Sequence, residues 1–169
     1  MSVLSRILPE RVDNRYRGHK LALWIFVPIT LQKLALSFTH LFKADGGAQS
    51  ISTMPLDTYP ASAAQNIVGL MARDGLQQLA LGVLFVLVLI RYRAMIPLMY
   101  ALIVALYLAS RGVSLMKPLV LAGTSGASIP ALVIAILSVV GLALSLMGRG
   151  YTETEVLHRD PPGRVTNVP

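Results

Sequence analysis

Cysteine is absent from this sequence, which removes disulfides, thiolate metal centres and thiol nucleophiles. Charge is also scarce: 14% of residues are Asp, Glu, Lys or Arg, against about 25% in ordinary globular domains. Acid is scarcer than base, with eight Asp and Glu against fifteen Lys and Arg, and of those eight only Asp74 falls within an apolar segment. The three histidines, His19, His40 and His158, are too far apart to pair on one helix, so neither bis-histidine haem ligation nor a self-contained zinc centre is expected. A Ser-His-Asp set, a phosphate-binding glycine loop and paired carboxylates are all missing. No cofactor and no enzyme acting alone is therefore expected.

What fills the chain instead is hydrocarbon. Hydrophobic residues make up 54% of its 169 positions and the mean hydropathy is +0.64. A helix needs about 20 apolar residues to cross a hydrocarbon layer roughly 30 Å thick. Four segments qualify: residues 21–42, interrupted by Gln32 and Lys33; 66–90, ending in LALGVLFVLVLI; 94–111; and 129–147, which has no charge. The expected fold class is an all-α membrane protein, a bundle of four transmembrane helices. A cleaved signal peptide is not expected, because the first apolar stretch is too long for a signal core and no small-x-small site follows it.

Basic residues set the orientation. Arg6, Arg11, Arg15, Arg17 and Lys20 precede the first segment, Arg91 and Arg93 form the turn between the second and third, and Arg149, Arg159 and Arg164 follow the fourth. Four crossings put all ten on one face and leave Lys43, Arg111 and Lys117 on the other. Both termini are thus expected in the cytoplasm, and the localisation in a bacterial inner membrane. Base placed in this way, flanking apolar segments, argues against nucleic-acid binding.

Residues 1–20 are expected as a cytoplasmic tail in which Val3, Leu4, Ile7 and Leu8 allow a short interfacial helix ending at Pro9. Residues 43–65 and 112–128 are expected as outer loops, and 148–169, with Pro161-Pro162-Gly163, as a disordered cytoplasmic tail. Ser128 before Ile129-Pro130 reads as an N-cap with proline in the first turn.

The informative residues are those a span should not contain. At about 1.5 Å per residue from each helix's cytoplasmic end, Lys33 lies roughly 18 Å up the first helix. Gln77 and Gln78 lie at roughly 18–20 Å on the second helix, with Arg73 and Asp74 at roughly 24–26 Å. Tyr107 and Arg111 come at roughly 20 and 26 Å on the third. Each helix carries these groups on one face: Lys33, Ser37 and His40; Asn66, Arg73 and Gln77, flanked by Asp74 and Gln78; Tyr100, Tyr107 and Arg111. The expectation is that the three faces meet in an outer polar zone. Its candidate residues are Lys33, Arg73, Asp74, Gln77, Gln78, Tyr107 and Arg111. One acid facing three cations leaves net positive charge, suited to a lipid head group, a quinone or a small anion. The alternative is structural: arginines reaching to head groups, and amides bonding helix to helix. Lys33 resists that account, because its ammonium is too deep to reach water easily. The fourth helix carries small residues, Ala131, Ala135, Ser138, Gly141 and Ser145, suited to close packing.

Laid out this way, the chain resembles the small four-helix bacterial membrane proteins of the DoxX-like type. Ser50–Gly82 (SISTMPLDTYPASAAQNIVGLMARDGLQQLALG) and Leu89–Gly112 (LIRYRAMIPLMYALIVALYLASRG) also resemble a group of uncharacterised bacterial membrane proteins. The likeness covers roughly residues 46–117. Some DoxX-like proteins are subunits of membrane redox complexes passing electrons to quinone; with no cofactor ligand in this sequence, the resemblance implies the architecture alone. Eleven Arg against four Lys would suit a GC-rich bacterial genome.

Three functions follow as expectations. An accessory or interaction subunit, docking on a membrane protein partner or forming a homo-oligomer, comes first. A membrane binding protein for a quinone, lipid head group or small anion is the alternative. A small proton-coupled transporter is third, since Asp74 is shallow and crowded by cations for a substrate-coupled carboxylate.

Overall fold

The computed structural model describes residues 3–9 and 12–147. They form α1 (Val3–Ile7), α2 (Lys20–Phe42), α3 (Ala61–Arg91), α4 (Ile96–Met116) and α5 (Ser128–Leu146), with single 3-10 turns at Leu56–Thr58 and Arg93–Met95. There is no strand among the described residues, and α2, α3, α4 and α5 are long and apolar enough to cross a membrane. The tail from Gly148 onward, expected to be disordered, lies outside the described residues, as do Arg11 and His158.

The helix bounds differ from the apolar bounds where polar residues are good helix formers. α3 begins at Ala61 rather than near residue 66, because Ala61-Ser62-Ala63-Ala64-Gln65 follows Pro60, which fits a helix start and then lets small residues propagate it. At 31 residues it is about 46 Å long, more than the roughly 30 Å of a hydrocarbon layer. α4 continues past Arg111 to Met116 and gives way to Lys117-Pro118. Ser128 is not the N-cap of α5 but its first helical residue: Ala127 holds the N-cap position without a side-chain cap bond. Ser125 folds the turn before it, its hydroxyl accepting from Ala127 N at 3.3 Å and its carbonyl from Ser128 N at 3.1 Å.

Helix α3 packs along α2, α5 packs on both α2 and α4, and α4 touches α3 far less. All four are pinned together at the end carrying the basic residues. There Phe26 of α2 meets Phe85 of α3 and Tyr100 of α4, each with ring centroids 5.3 Å apart, and the Tyr100 hydroxyl donates to the Ala22 carbonyl at 2.5 Å. The Tyr100 ring lies where a Cβ at Gly141 of α5 would project. Glycine is required there because no other residue leaves room for the ring. Around this knot Ala135, Ser138 and Ser145 of α5 are buried, whereas Ala131 is exposed. Ser138 and Ser145 donate to Ile134 O and Gly141 O, each at 2.7 Å, and the Ser145 hydroxyl also accepts from Tyr16 OH at 3.2 Å.

The chain before α2 secures the same end. Ala94 N donates to Asp13 O at 3.2 Å and His19 N to Leu144 O at 3.2 Å, tying the α3–α4 turn and the end of α5 to one strap. Arg6 of α1 donates to the Leu146 carbonyl, one of the acceptors left open at the end of α5. The ion pair Arg17–Asp13, 2.6 Å and exposed, adds little.

At the opposite end the two long loops are stitched to each other. Ala122 N donates to Thr53 O at 2.9 Å, Gly126 N to Ile51 O at 2.8 Å, and the Thr53 hydroxyl to Gly123 O at 2.9 Å. The first loop is itself folded around Asp45-Gly46-Gly47. Both glycines have positive φ, 58° and 79°, and the Asp45 carboxylate accepts from Gly47 N at 3.0 Å and Ser50 N at 2.7 Å. Desolvation, the largest single influence, pushes the Asp45 carboxyl up. The hydrogen bonds from Ser50 and Gly47 and the charge of Lys43 outweigh it and hold the group at about 2. Because the folded value lies below the ordinary one near 4, the loop gains stability above pH 4 and loses it as pH falls through about 2. A carboxyl titration followed by NMR on Asp45 should give a midpoint near 2, with amide protection of Gly47 and Ser50 disappearing over the same interval. An ordinary midpoint near 4 would show that this turn does not persist.

Candidate functional site

One stripe of α2 runs the length of the bundle: Ala22, Phe26, Ile29 and Thr30, Lys33, Ser37, His40. Every member except Lys33 is buried, and the spacing of three and four keeps them on a single face. The aromatic knot fills it at the basic end. Towards the loops the Ser37 hydroxyl donates to Lys33 O at 2.8 Å and Leu34 O at 2.9 Å. His40 Nδ1 lies 2.5 Å from Gly46 O, and because that carbonyl can only accept, the ring nitrogen donates.

Close approach of α3 makes this possible. A Cβ at Gly75 would lie 2.7 Å from His40 Cβ, 3.2 Å from Leu41 N and 3.2 Å from Ser37 O, and one at Gly82 would lie 2.7 Å from Leu34 Cδ2. The two glycines, seven apart, let α3 sit against the α2 backbone. Gln78 lies between them on the same face and reaches Lys33.

The result is a polar chain within otherwise apolar helices. The Lys33 ammonium donates to Gln78 Oε1 at 3.3 Å, and Gln78 Nε2 donates to Asp74 Oδ2. The amide can serve both neighbours only in this orientation, oxygen to the cation and nitrogen to the carboxylate. Asp74 is close enough for its charge to act on Lys33. Lys33 is half-buried, Gln78 is half-buried and Asp74 is exposed. One of the three ammonium protons is engaged. The other two meet no acceptor among the described residues.

The remaining candidates are not part of this chain. Arg73 and Gln77 are exposed on α3, and neither side chain makes a hydrogen bond or ion pair with another described residue. Tyr107 is half-buried against α5, where it lines a groove of about 310 Å³ with Val104, Leu132, Ala135 and Val139. Arg111 is exposed and likewise unbonded among the described residues. Thus only the flank of the α3 stripe, Gln78 with Asp74 behind it, meets Lys33 of α2. The stripe itself, Asn66, Arg73 and Gln77, turns outward, and the polar face of α4 joins neither. The cause is packing: Tyr100, locked over Gly141, turns the Tyr100–Tyr107 face of α4 towards α5.

No group of three His, Asp or Glu side chains suited to a metal ion occurs among the described residues. The sequence placed His40 with Lys33; the structure gives it to the loop, and the Asp45-Gly46-Gly47 turn signature was the available signal. Comparison with known protein families, curated proteins and solved structures finds no match.

Proposed function

We propose that this protein is an integral membrane subunit whose role is to associate with another membrane protein through its exposed α3 face. The observation that carries the reading is the position of Asn66, Arg73, Asp74 and Gln77, all exposed on α3 within a helix whose other outward residues include Leu70, Leu76, Val83, Leu84 and Leu87. Hydrocarbon offers no partner for Arg73 and Gln77, and a charged side chain costs about 2.5–3.5 kcal/mol at a helix centre and less towards the boundary, where Arg73 and Asp74 lie. A second protein surface supplying hydrogen bonds removes that cost. Membrane residence is supported by the four apolar helices and by exposed Trp24, Leu31, Phe42, Leu108 and Ile136 around the bundle, a surface that water would not tolerate. Arg15, Arg17, Lys20, Arg91 and Arg93 at one end favour a cytoplasmic placement of that end, in a bacterial inner membrane.

Extracted in a mild detergent from its native membrane, the protein should migrate as a complex heavier than one chain. Arg73→Leu combined with Gln77→Leu should reduce that species at least fivefold. Wild-type protein running as a single chain, with no other protein bound, would end this reading.

The unfilled donors of Lys33 favour a second reading, that an anionic head group binds beside Gln78. Lys33→Met should then lower co-purifying anionic lipid, counted by native mass spectrometry, at least threefold. The variant should still fold, because Gln78 and Asp74 remain bonded without it. Equal lipid retention in variant and wild type would remove this reading.

A further inference from the structure

Near the aromatic knot, the side of α3 that bears Phe85 and Val88 is buried. Followed towards the loops at 100° per residue, it gives way to exposed positions, Asn66, Leu70, Asp74 and Gln77. α4 leaves this part of α3 uncovered, being packed on α5. On the outward helical projection Leu70 and Gln77 lie near the centre of the face, and Arg73 and Asp74 flank it, about 50° to either side. The two flanks carry opposite charge at one level of the helix.

From this arrangement we propose that the partner on α3 is a second copy of the same chain, related by a two-fold axis along the membrane normal. The inference rests on the interaction reading above and gives it an occupant. Copies inserted the same way present identical residues at identical depth. A two-fold interface is self-complementary, so a residue i meeting j of the partner implies j meeting i. Placing Gln77 against its own counterpart brings Arg73 of each copy opposite Asp74 of the other, and both pairs form at once. Asp74 is prepared for it: Oδ2 accepts from Gln78, while Oδ1 has no bond among the described residues. The Gln77 amide, donor and acceptor together, bonds its symmetry mate without a third group. Arg73, Asp74 and Gln77 are thereby all satisfied by one partner of known sequence.

The absence of native cysteine makes single-cysteine crosslinking clean. Full-length protein carrying Gln77→Cys, oxidised in lipid bilayers, should form a covalent dimer, whereas Val140→Cys on the exposed surface of α5 should yield several-fold less. In the Gln77→Cys background, Arg73→Asp alone and Asp74→Arg alone should each lower the yield at least fivefold, since each sets like charges opposite one another. Co-expressed with distinct tags, those two variants should recover crosslinking between them, because every acidic position then faces a basic one. That recovery needs both variants to fold, so it separates a broken interface from a broken protein. A mixed yield no greater than that of the single variants, or equal crosslinking at positions 77 and 140, would overturn the two-fold pairing. A heavier native complex holding one copy of this chain and a different protein would overturn the second copy while sparing the interaction reading. Single chains throughout would end both.

Discussion

Gly141→Val should unfold the bundle at the basic end, with a loss of about 3–5 kcal/mol when overpacking, a lost hydrogen bond and disrupted ring pairing are combined. The added Cβ would collide with Cζ and Cε1 of Tyr100, so the ring must leave. Leaving breaks its bond to Ala22 O and its edge contact with Phe26. Tyr100 is fully buried and is held between α2 and α5, so no small adjustment restores it. Gly141→Ala should act in the same direction with a smaller loss. The test of cause is a double-mutant cycle: with Tyr100→Leu already present, Gly141→Ala should cost less than half of what it costs in the wild type. Thermal unfolding in detergent measures both. A Gly141→Val protein melting with the wild type would show that Tyr100 is not locked over that glycine.

Much of this architecture was legible because each helix declares itself twice, once by apolar length and once by what bounds it. Four long apolar segments, a basic Arg91-Tyr92-Arg93 turn and Gly/Ser/Pro-rich connectors gave the helix number and order. Bounds were less legible. α3 extends through Ala61–Gln65 because helix formation does not depend on apolar character, and hydropathy counts only the latter. The small-residue pattern of α5 was readable as a packing face, but its occupant was not: a glycine advertises a close approach without naming the ring that makes it. The same gap limited the candidate site. Helical periodicity gave Lys33 and Gln78 similar height but set Gln78 only on the flank of a stripe centred on Asn66, Arg73 and Gln77. It is that flank, not the stripe, that faces α2. Periodicity likewise assigned Tyr107 and Arg111 to one face of α4, yet the direction of that face depends on how α4 is rotated. Tyr100 and Gly141 set that rotation, 41 residues apart in sequence. Depth is a property of one helix; convergence is a property of several.

Gly75→Val should separate α2 from α3 and dismantle the polar chain without touching any residue in it. Two of the three atoms nearest the added Cβ are backbone, Leu41 N and Ser37 O, each 3.2 Å away, and the third is His40 Cβ at 2.7 Å. A backbone cannot rotate aside as a side-chain tip can, so the helices must part, at a cost of about 1–3 kcal/mol. The Lys33–Gln78 bond, already 3.3 Å, passes beyond hydrogen-bonding range with a shift of a few tenths of an ångström. His40 moves with the same backbone and loosens its hold on Gly46, so the loop should gain hydrogen exchange at Gly46 through Ser52. Gly112→Ala is the matched control. It too replaces a helical glycine, but nothing lies within 4 Å of its Cβ, and in a helix interior alanine is favoured over glycine by about 0.5–1 kcal/mol. The two substitutions should therefore move the melting temperature in opposite directions. If Gly75→Val left both the melting temperature and loop exchange unchanged, α3 would not lie against α2 as described, and Lys33 would have to find its partner elsewhere. Lys33, Gln78 and Asp74 form a site only because two glycines let a pair of helices approach closely enough to share it.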